Sequence, residues 1–202
     1  MAIKLLDNFV TAFAKGMELA DAKRPQAESQ RTRRQYQPGL GPHTEDNTVG
    51  LVLDEIQDNG LMDFVQERFV KYPSNPRTKC DLFIRSGTAS LYIEVKMMRL
   101  LGDNGKPNDN ILMHILSPYP QHRSALTDIQ KLQNSGFGED KAIVIYGYDY
   151  PEYPLKMTID AFTKLAGEKL LPGVSKASFK GLIHPHHKWG SVYGWLVSAE
   201  TS

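Results

Sequence analysis

The spacing of apolar side chains divides the chain into alternating helical and extended segments. Apolar residues at three- and four-residue steps predict a helix over residues 3–22. A second stripe predicts a helix that begins after Thr44, a suitable N-cap, and ends at Asn59-Gly60. Residues 61–72 then predict a strand. We expect its aromatic side chains to pack into the core, namely Phe64, Phe69 and Tyr72.

The clearest pattern is a two-stranded β-hairpin over residues 79–97. Apolar and polar residues alternate along both halves, so each strand has one aliphatic face and one polar face. Gly87 suits the positive φ of a type II′ turn, which predicts Gly87-Thr88 as the two-residue loop. If Ser86 pairs with Ala89, counting back along both strands places Asp81 directly opposite Glu94.

The rest of the chain continues the alternation of helices and strands. Residues 98–120 are rich in turn-forming residues and are predicted to be irregular, with a short apolar piece at 111–116. The later elements are predicted as a helix over 121–135, a central strand over 141–148, a helix over 157–170, and strands over 176–184 and 189–198. This order predicts an α/β fold in which helices flank a central mixed β-sheet.

The polar face of the hairpin carries three candidate functional side chains. Asp81 and Glu94 would repel each other across the two strands, and such a pair usually holds a cation. Carboxylate oxygens without cysteine or histidine nearby suit Mg²⁺, with Mn²⁺ as a possible substitute. Lys96 lies on the same face as Glu94, where it could orient a metal-bound water or stabilise charge on a phosphate.

These residues resemble the catalytic signature of the PD-(D/E)XK nuclease superfamily: Asp81, then Glu94-Val95-Lys96. The resemblance covers the motif and the order of elements over about residues 44–149, although Cys80 stands where the family name has proline. It implies a restriction-endonuclease-like three-layer sandwich. It also implies metal binding by Asp81, Glu94 and the carbonyl of Val95, while Lys96 positions or helps to deprotonate the attacking water.

The family commonly places a third acidic residue on the helix before its hairpin. Glu45 is our candidate, because it lies at the end of that helix's apolar stripe, four residues before Val49. Ordinary capping of the first helical turn explains Glu45 equally well. Glu55 is the alternative third acid, and its helical phase predicts a more solvated side of the helix.

The resemblance implies a Mg²⁺-dependent endodeoxyribonuclease, and we favour a type II restriction endonuclease that acts as a homodimer. A DNA repair or recombination nuclease of the same fold is the nearest alternative. Two others are a DNA-binding module without catalysis and a structural hairpin whose acids face water. The candidate DNA-contacting residues are Arg31, Arg33, Arg34, Arg99 and Arg123.

The amino-acid composition excludes few of these functional classes. The 202 residues suffice for one domain, with an N-terminal helix and arm (1–42), a catalytic core (43–150) and a C-terminal helix and strands (151–202). The net charge of +1 does not indicate a nucleic-acid binder, although a local basic surface is compatible with it. The single cysteine, Cys80, excludes a disulfide within the chain and fits a cytoplasmic protein.

The other sequence motifs give weaker evidence about function. We find no run long enough to span a membrane and no glycine-rich phosphate loop, so neither a membrane nor a nucleotide cofactor is expected. Residues 184–188 contain three histidines, a spacing that hints at metal binding. Because a proline interrupts them and no acidic residue is nearby in sequence, we interpret this segment as a turn.

Overall fold

The computed structural model describes residues 1–29, 32–108 and 111–199 as an α/β structure built on a six-stranded mixed sheet. The strands are β1 (Val65–Tyr72), β2 (Asn75–Ser86), β3 (Ala89–Met98), β4 (Asp140–Tyr148), β5 (Ser175–Lys180) and β6 (Trp189–Leu196). Their order across the sheet is β1-β2-β3-β4-β6-β5. The pair β3–β4 is parallel and the other neighbouring pairs are antiparallel. The strand at 141–148 is central, as predicted.

Helices flank the sheet on both faces, and each face has its own apolar core. Helices α1 (Ala2–Ala22) and α2 (Glu45–Asp58) share one core with Val144 and Tyr146 of β4. The opposite core joins Ile143 and Ile145 to α3 (Met113–Leu116), α4 (Ala125–Gln133) and α5 (Leu155–Ala166). Alternate residues of one central strand therefore serve the two cores, as the two-residue period of a strand requires.

The predicted hairpin is present in the predicted register. Ser86 pairs with Ala89, and the loop residue Gly87 has a φ of +58° while Thr88 does not have a positive φ. Pairing of β2 with β3 extends to Leu82–Ile93. The pairing ends one residue before Asp81 and Glu94, and the charge of Asp81 still acts on the Glu94 carboxyl.

The prediction that Phe69 packs in the core is wrong. Its side chain is 39% exposed and its backbone lies in the left-handed region, with a φ of +59°. The sequence pattern misplaced it because β1 is an edge strand with one solvated face. Val70 and Tyr72 face the core next to it, whereas Phe69 shares the outer face with Lys71.

Several predicted boundaries also shift. Helix α4 begins at Ala125, because the Ser124 hydroxyl accepts the amide of Thr127 at 3.2 Å and caps the helix there. The preceding residues Pro120–His122 form a 3₁₀ turn instead. Strand β5 ends at Lys180 and is followed by Gly181, whose φ is +75°. Among the described residues, we find no helix with the length and apolar character needed to cross a membrane.

Candidate active site

The candidate site forms where β2 diverges from β3. Pairing of these strands ends at Leu82–Ile93, while β3 continues to Met98. Carboxylates then take the place of the missing strand. Asp81 Oδ2 accepts the Val95 amide at 2.8 Å, and Glu45 Oε2 accepts the Met97 amide. Acids from β2 and α2 are thereby fixed along one edge of β3, where unpaired amides would otherwise be costly.

The same geometry orients the carbonyl group of Val95. The amide and carbonyl of a strand residue point to the same side of the strand. Because the Val95 amide faces Asp81, its carbonyl oxygen faces the same cleft. The backbone atom that the family resemblance assigns to metal binding thus lies on the side of the carboxylates.

Glu94 is buried between negative groups. It is only 3% exposed, and the Tyr72 hydroxyl donates a hydrogen bond to its Oε1. Burial raises the pKa of Glu94 well above its ordinary value, and the charges of Asp81 and Asp128 raise it further, while the bond from Tyr72 opposes them. The repulsion expected from the hairpin register is therefore present.

Lys96 supplies positive charge to this acidic cleft. Its ammonium lies 2.9 Å from Asp128 Oδ2 and 3.5 Å from Glu45 Oε1. Burial favours a lower pKa for Lys96, but the charges of Glu45, Asp128 and Asp81 outweigh burial and raise it. Lys96 is therefore a cation at neutral pH. This favours its predicted role in positioning over a role in accepting a proton.

Sequence reasoning missed Asp128 and Tyr72. Asp128 of α4 is fully buried and pairs with both Lys96 and Lys131. A signal was available, because Asp128 lies three residues after Ala125 and four before Leu132, on the buried stripe of the helix. Tyr72 gave no such signal, since a core tyrosine looks the same whether or not it binds a carboxylate.

Of the two candidates for the third acid, Glu45 is the one that contacts Lys96. Burial raises its pKa to about 7, with smaller increases from Asp81 and Asp128, while Lys96 and the Met97 amide act against these effects. The expectation that Glu55 lies on a more solvated side is wrong. Glu55 is 5% exposed and pairs with Lys23, because the end of α1 covers this part of α2. The Glu55 carboxylate also accepts a hydrogen bond of 3.1 Å from the side-chain amide of Asn59.

The predicted DNA-contacting arginines that the structure describes differ in exposure and in partners. Arg34 and Arg123 are exposed, and Arg33 forms an exposed ion pair of 3.0 Å with Glu28. Arg99 is turned inward, where it donates to the Gly41 carbonyl, so it is less available to DNA than the others. Arg31 lies outside the described residues.

A cavity of about 410 Å³ opens beside the candidate site. It lies between the β1–β2 turn and α4, and its walls include Tyr72, Thr127 and Lys131. Tyr72 and Lys131 are the residues that hold Glu94 and Asp128 from this side. The acidic cleft therefore borders a space that a ligand could enter.

The carboxylates of the cleft do not form a tight three-residue cluster. Within the described ranges, the only group of three or more acidic, histidine or cysteine side chains with ligand atoms all within 4.8 Å is Asp103, His184 and His187. A metal ion in the cleft would thus be held by few carboxylates together with a backbone carbonyl and water. Mg²⁺ tolerates this arrangement because it keeps several waters.

Comparisons with protein-family models, curated proteins and solved structures found no match to this chain.

Proposed function

We propose that this protein is a Mg²⁺-dependent endodeoxyribonuclease with a restriction-endonuclease-like fold. The observation that carries the proposal is the meeting of Asp81, Glu94, Lys96 and Glu45 in one cleft, at the point where two neighbouring strands diverge. The mixed sheet with helices on both faces supports the fold assignment. Mn²⁺ is the expected substitute for Mg²⁺.

The donor set fits a hard divalent ion. Asp81, Glu94 and the carbonyl of Val95 would hold it, and Glu45 would complete the shell directly or through water. A bound cation would offset the repulsion that adds to burial in raising the pKa of Glu94. When bound, such an ion polarises the scissile phosphate and makes a coordinated water more acidic.

The chain's own residues supply the remaining functions. The Lys96 ammonium, held between Glu45 and Asp128, orients the attacking water and stabilises negative charge that develops on the phosphate. The Glu45 carboxylate, whose Oε1 lies 3.5 Å from the Lys96 ammonium, is suited to accept a proton from that water. Tyr72 holds the Glu94 carboxylate in one orientation.

A plasmid-cleavage assay tests this function. We expect the protein to nick or linearise supercoiled plasmid with Mg²⁺ or Mn²⁺ and to be inactive in EDTA. Lys96→Ala and Asp81→Asn should each slow cleavage by at least about 100-fold, the usual scale for loss of such a group. Matched controls are Lys156→Ala and Asp160→Asn, which alter an exposed ion pair on α5 and should cleave at the wild-type rate.

Cleavage that persists in EDTA, or full activity of both site variants, would contradict the proposal. Folding of each variant should be verified by its circular dichroism spectrum, because Asp81 also accepts the Val95 amide. DNA binding without cleavage under any metal condition would instead favour the non-catalytic module, in which Asp81 and Glu45 serve only to cap the edge of β3.

The finer assignment is a type II restriction endonuclease that acts on a short palindrome as a homodimer. Sequencing of the ends produced from genomic DNA distinguishes it from its nearest alternative. A fixed sequence at the ends supports restriction, whereas random ends support a repair or recombination nuclease. Sedimentation with and without DNA tests the dimer.

A further inference from the structure

Outside the candidate active site, three polar side chains converge with unpaired atoms. Asp103 lies in the loop after β3, and His184 and His187 lie in the loop between β5 and β6. Both imidazole rings are fully buried. His184 Nε2, His187 Nε2 and Asp103 Oδ1 are buried without a hydrogen-bond partner. Buried polar atoms are nearly always paired, so three unpaired atoms in one place indicate a missing ligand.

The distances between these atoms fit an ion better than a hydrogen bond. Asp103 Oδ1 lies 3.8 Å from His184 Nε2 and 3.6 Å from His187 Nε2. Both separations exceed hydrogen-bond range. Ligands about 2.1 Å from a tetrahedral zinc ion are separated by about 3.4 Å, close to the observed values. The two imidazole rings stack with centroids 4.3 Å apart, and Asp103 Oδ1 lies near the Nε2 atom of each ring.

We propose that Asp103, His184 and His187 bind one Zn²⁺ ion, with water as the fourth ligand. Two imidazoles and a carboxylate form a donor set typical of zinc and unlike the all-oxygen cleft. Asp103 is 22% exposed, which leaves a path for the water. The site is independent of the proposed nuclease function, since it shares no side chain with the cleft.

The surroundings support His187 and Asp103 as ligands. The Tyr150 hydroxyl lies 2.7 Å from His187 Nδ1 and fixes the orientation of the ring, as groups behind metal-binding histidines commonly do. Asp103 presents its Oδ1 to the Nε2 atoms of both histidines. Arg99, 3.9 Å from the same oxygen, reduces the affinity for a cation by its charge.

His184 must move its ring proton from Nε2 to Nδ1 in order to bind zinc. Its Nδ1 accepts the amides of His186 and His187 at 3.2 and 3.3 Å, which leaves the proton of the neutral ring on Nε2. Burial and the neighbouring His187 lower the pKa of His184 to about 4, so the ring is neutral at pH 7. Zinc binding at Nε2 would move this proton to Nδ1. It would therefore break the two hydrogen bonds from the backbone amides, which are already long. The amide signals of His186 and His187 should therefore shift when zinc binds.

The proposed ion would join segments that are distant in sequence. Asp103 follows β3, the strand of Glu94 and Lys96, whereas both histidines precede β6. Gly41 packs against the two rings, since a Cβ there would lie 2.4 Å from His187 Cδ2. The ion would thus hold the loop after the candidate catalytic strand against the loop that precedes β6.

Zinc uptake by the full chain tests the proposal. After removal of metals with EDTA and return of Zn²⁺, mass spectrometry of the gel-filtered protein should find one zinc per chain, with a raised melting temperature. Co²⁺ should give the visible absorption of a tetrahedral site. Asp103→Asn and His187→Gln should each weaken zinc binding by at least about 100-fold, and Tyr150→Phe by about 10- to 100-fold.

Control variants show whether zinc binds at these three residues or elsewhere on the chain. His186→Ala removes the exposed histidine of the same loop and should retain wild-type zinc affinity. Asp81→Asn should also retain it, so failure of the nuclease assay would leave this result unaffected. If His187→Gln does not fold, the zinc affinity of Asp103→Asn still tests the proposal, because Asp103 is partly exposed. No zinc uptake by folded wild-type protein, or unchanged affinity in Asp103→Asn, would overturn the proposal.

Discussion

At the scale of single residues, the informative feature is a set of acidic side chains that are buried or half-buried beside packed apolar ones. Glu45 and Asp128 lie on faces that the apolar pattern assigns to the core, and Glu94 is buried although it lies on the polar face of the hairpin. An isolated charge is expensive in each of these places. Lys96 and Lys131 compensate part of this charge. Burial, with smaller contributions from the neighbouring acids, raises the pKa values of Glu45 and Glu94.

Glu45 should make stability depend on pH. Its carboxyl keeps its proton up to about pH 7 in the folded protein, whereas the ordinary value is 4.5. The folded state therefore binds more protons between these values, and Glu45 lowers stability as the pH rises from about 4.5 to 7. Glu45→Gln should remove this contribution and become more stable relative to wild type as the pH rises.

Melting temperatures in EDTA across pH 4–8 test this prediction. His184 acts in the opposite sense, because its lowered pKa raises stability as the pH rises from about 4 to 6.5. The difference between Glu45→Gln and wild type isolates Glu45 from that effect. The exposed Glu152→Gln is the matched control and should run parallel to wild type. A constant difference between Glu45→Gln and wild type would refute the assignment.

At the scale of elements, the centre of the sheet depends on close contact between backbones. Gly190 of β6 lies beside β4, and a Cβ built there would lie 1.9 Å from the Gly147 carbonyl oxygen. It would also meet Phe179 Cζ at 2.6 Å. The side chain could move, but the carbonyl belongs to a central strand and is not free to move.

Gly190→Ala should therefore destabilise the protein by about 3 kcal/mol, at the upper end of the usual cost of overpacking. Urea denaturation followed by circular dichroism measures the change. Gly138→Ala is the control, because a Cβ there meets no atom within 4 Å and the backbone does not require glycine. Equal stability of the two variants would show that β4 and β6 are less closely apposed than described.

At the scale of the whole molecule, one sheet separates two apolar cores that cannot form independently. β4 contributes Val144 to one core and Ile143 to the other, and β3 is shared in the same way through Val95 and Met98. Loss of either core would expose half of a central strand. The two helical layers should therefore fold and unfold together.

We accordingly expect one unfolding transition. Trp195 is buried in the core beneath α5, so its fluorescence in a Trp189→Phe variant reports that side, while circular dichroism reports all the helices. The two signals should give the same urea midpoint, within error. Two separate midpoints would indicate that the layers on either face of the sheet unfold independently.

The sequence determined the elements whose causes are local. The stripe of α1, the Thr44 cap and the two-residue turn at Gly87 depend on neighbouring residues, and all were predicted correctly. The register from Ser86–Ala89 to Leu82–Ile93 followed from that turn, because strand pairing has a fixed period.

Only the tertiary structure decided which distant residues meet. Asp128 reaches Lys96 because α4 packs on the sheet beside β3, and Glu55 is covered because α1 ends next to it. Asp103 meets His184 and His187 because loops from separate strands end at one place. Such contacts depend on the packing of whole elements. Local pattern does not carry that information, so the acidic partner that the histidine segment lacked in sequence came from the fold.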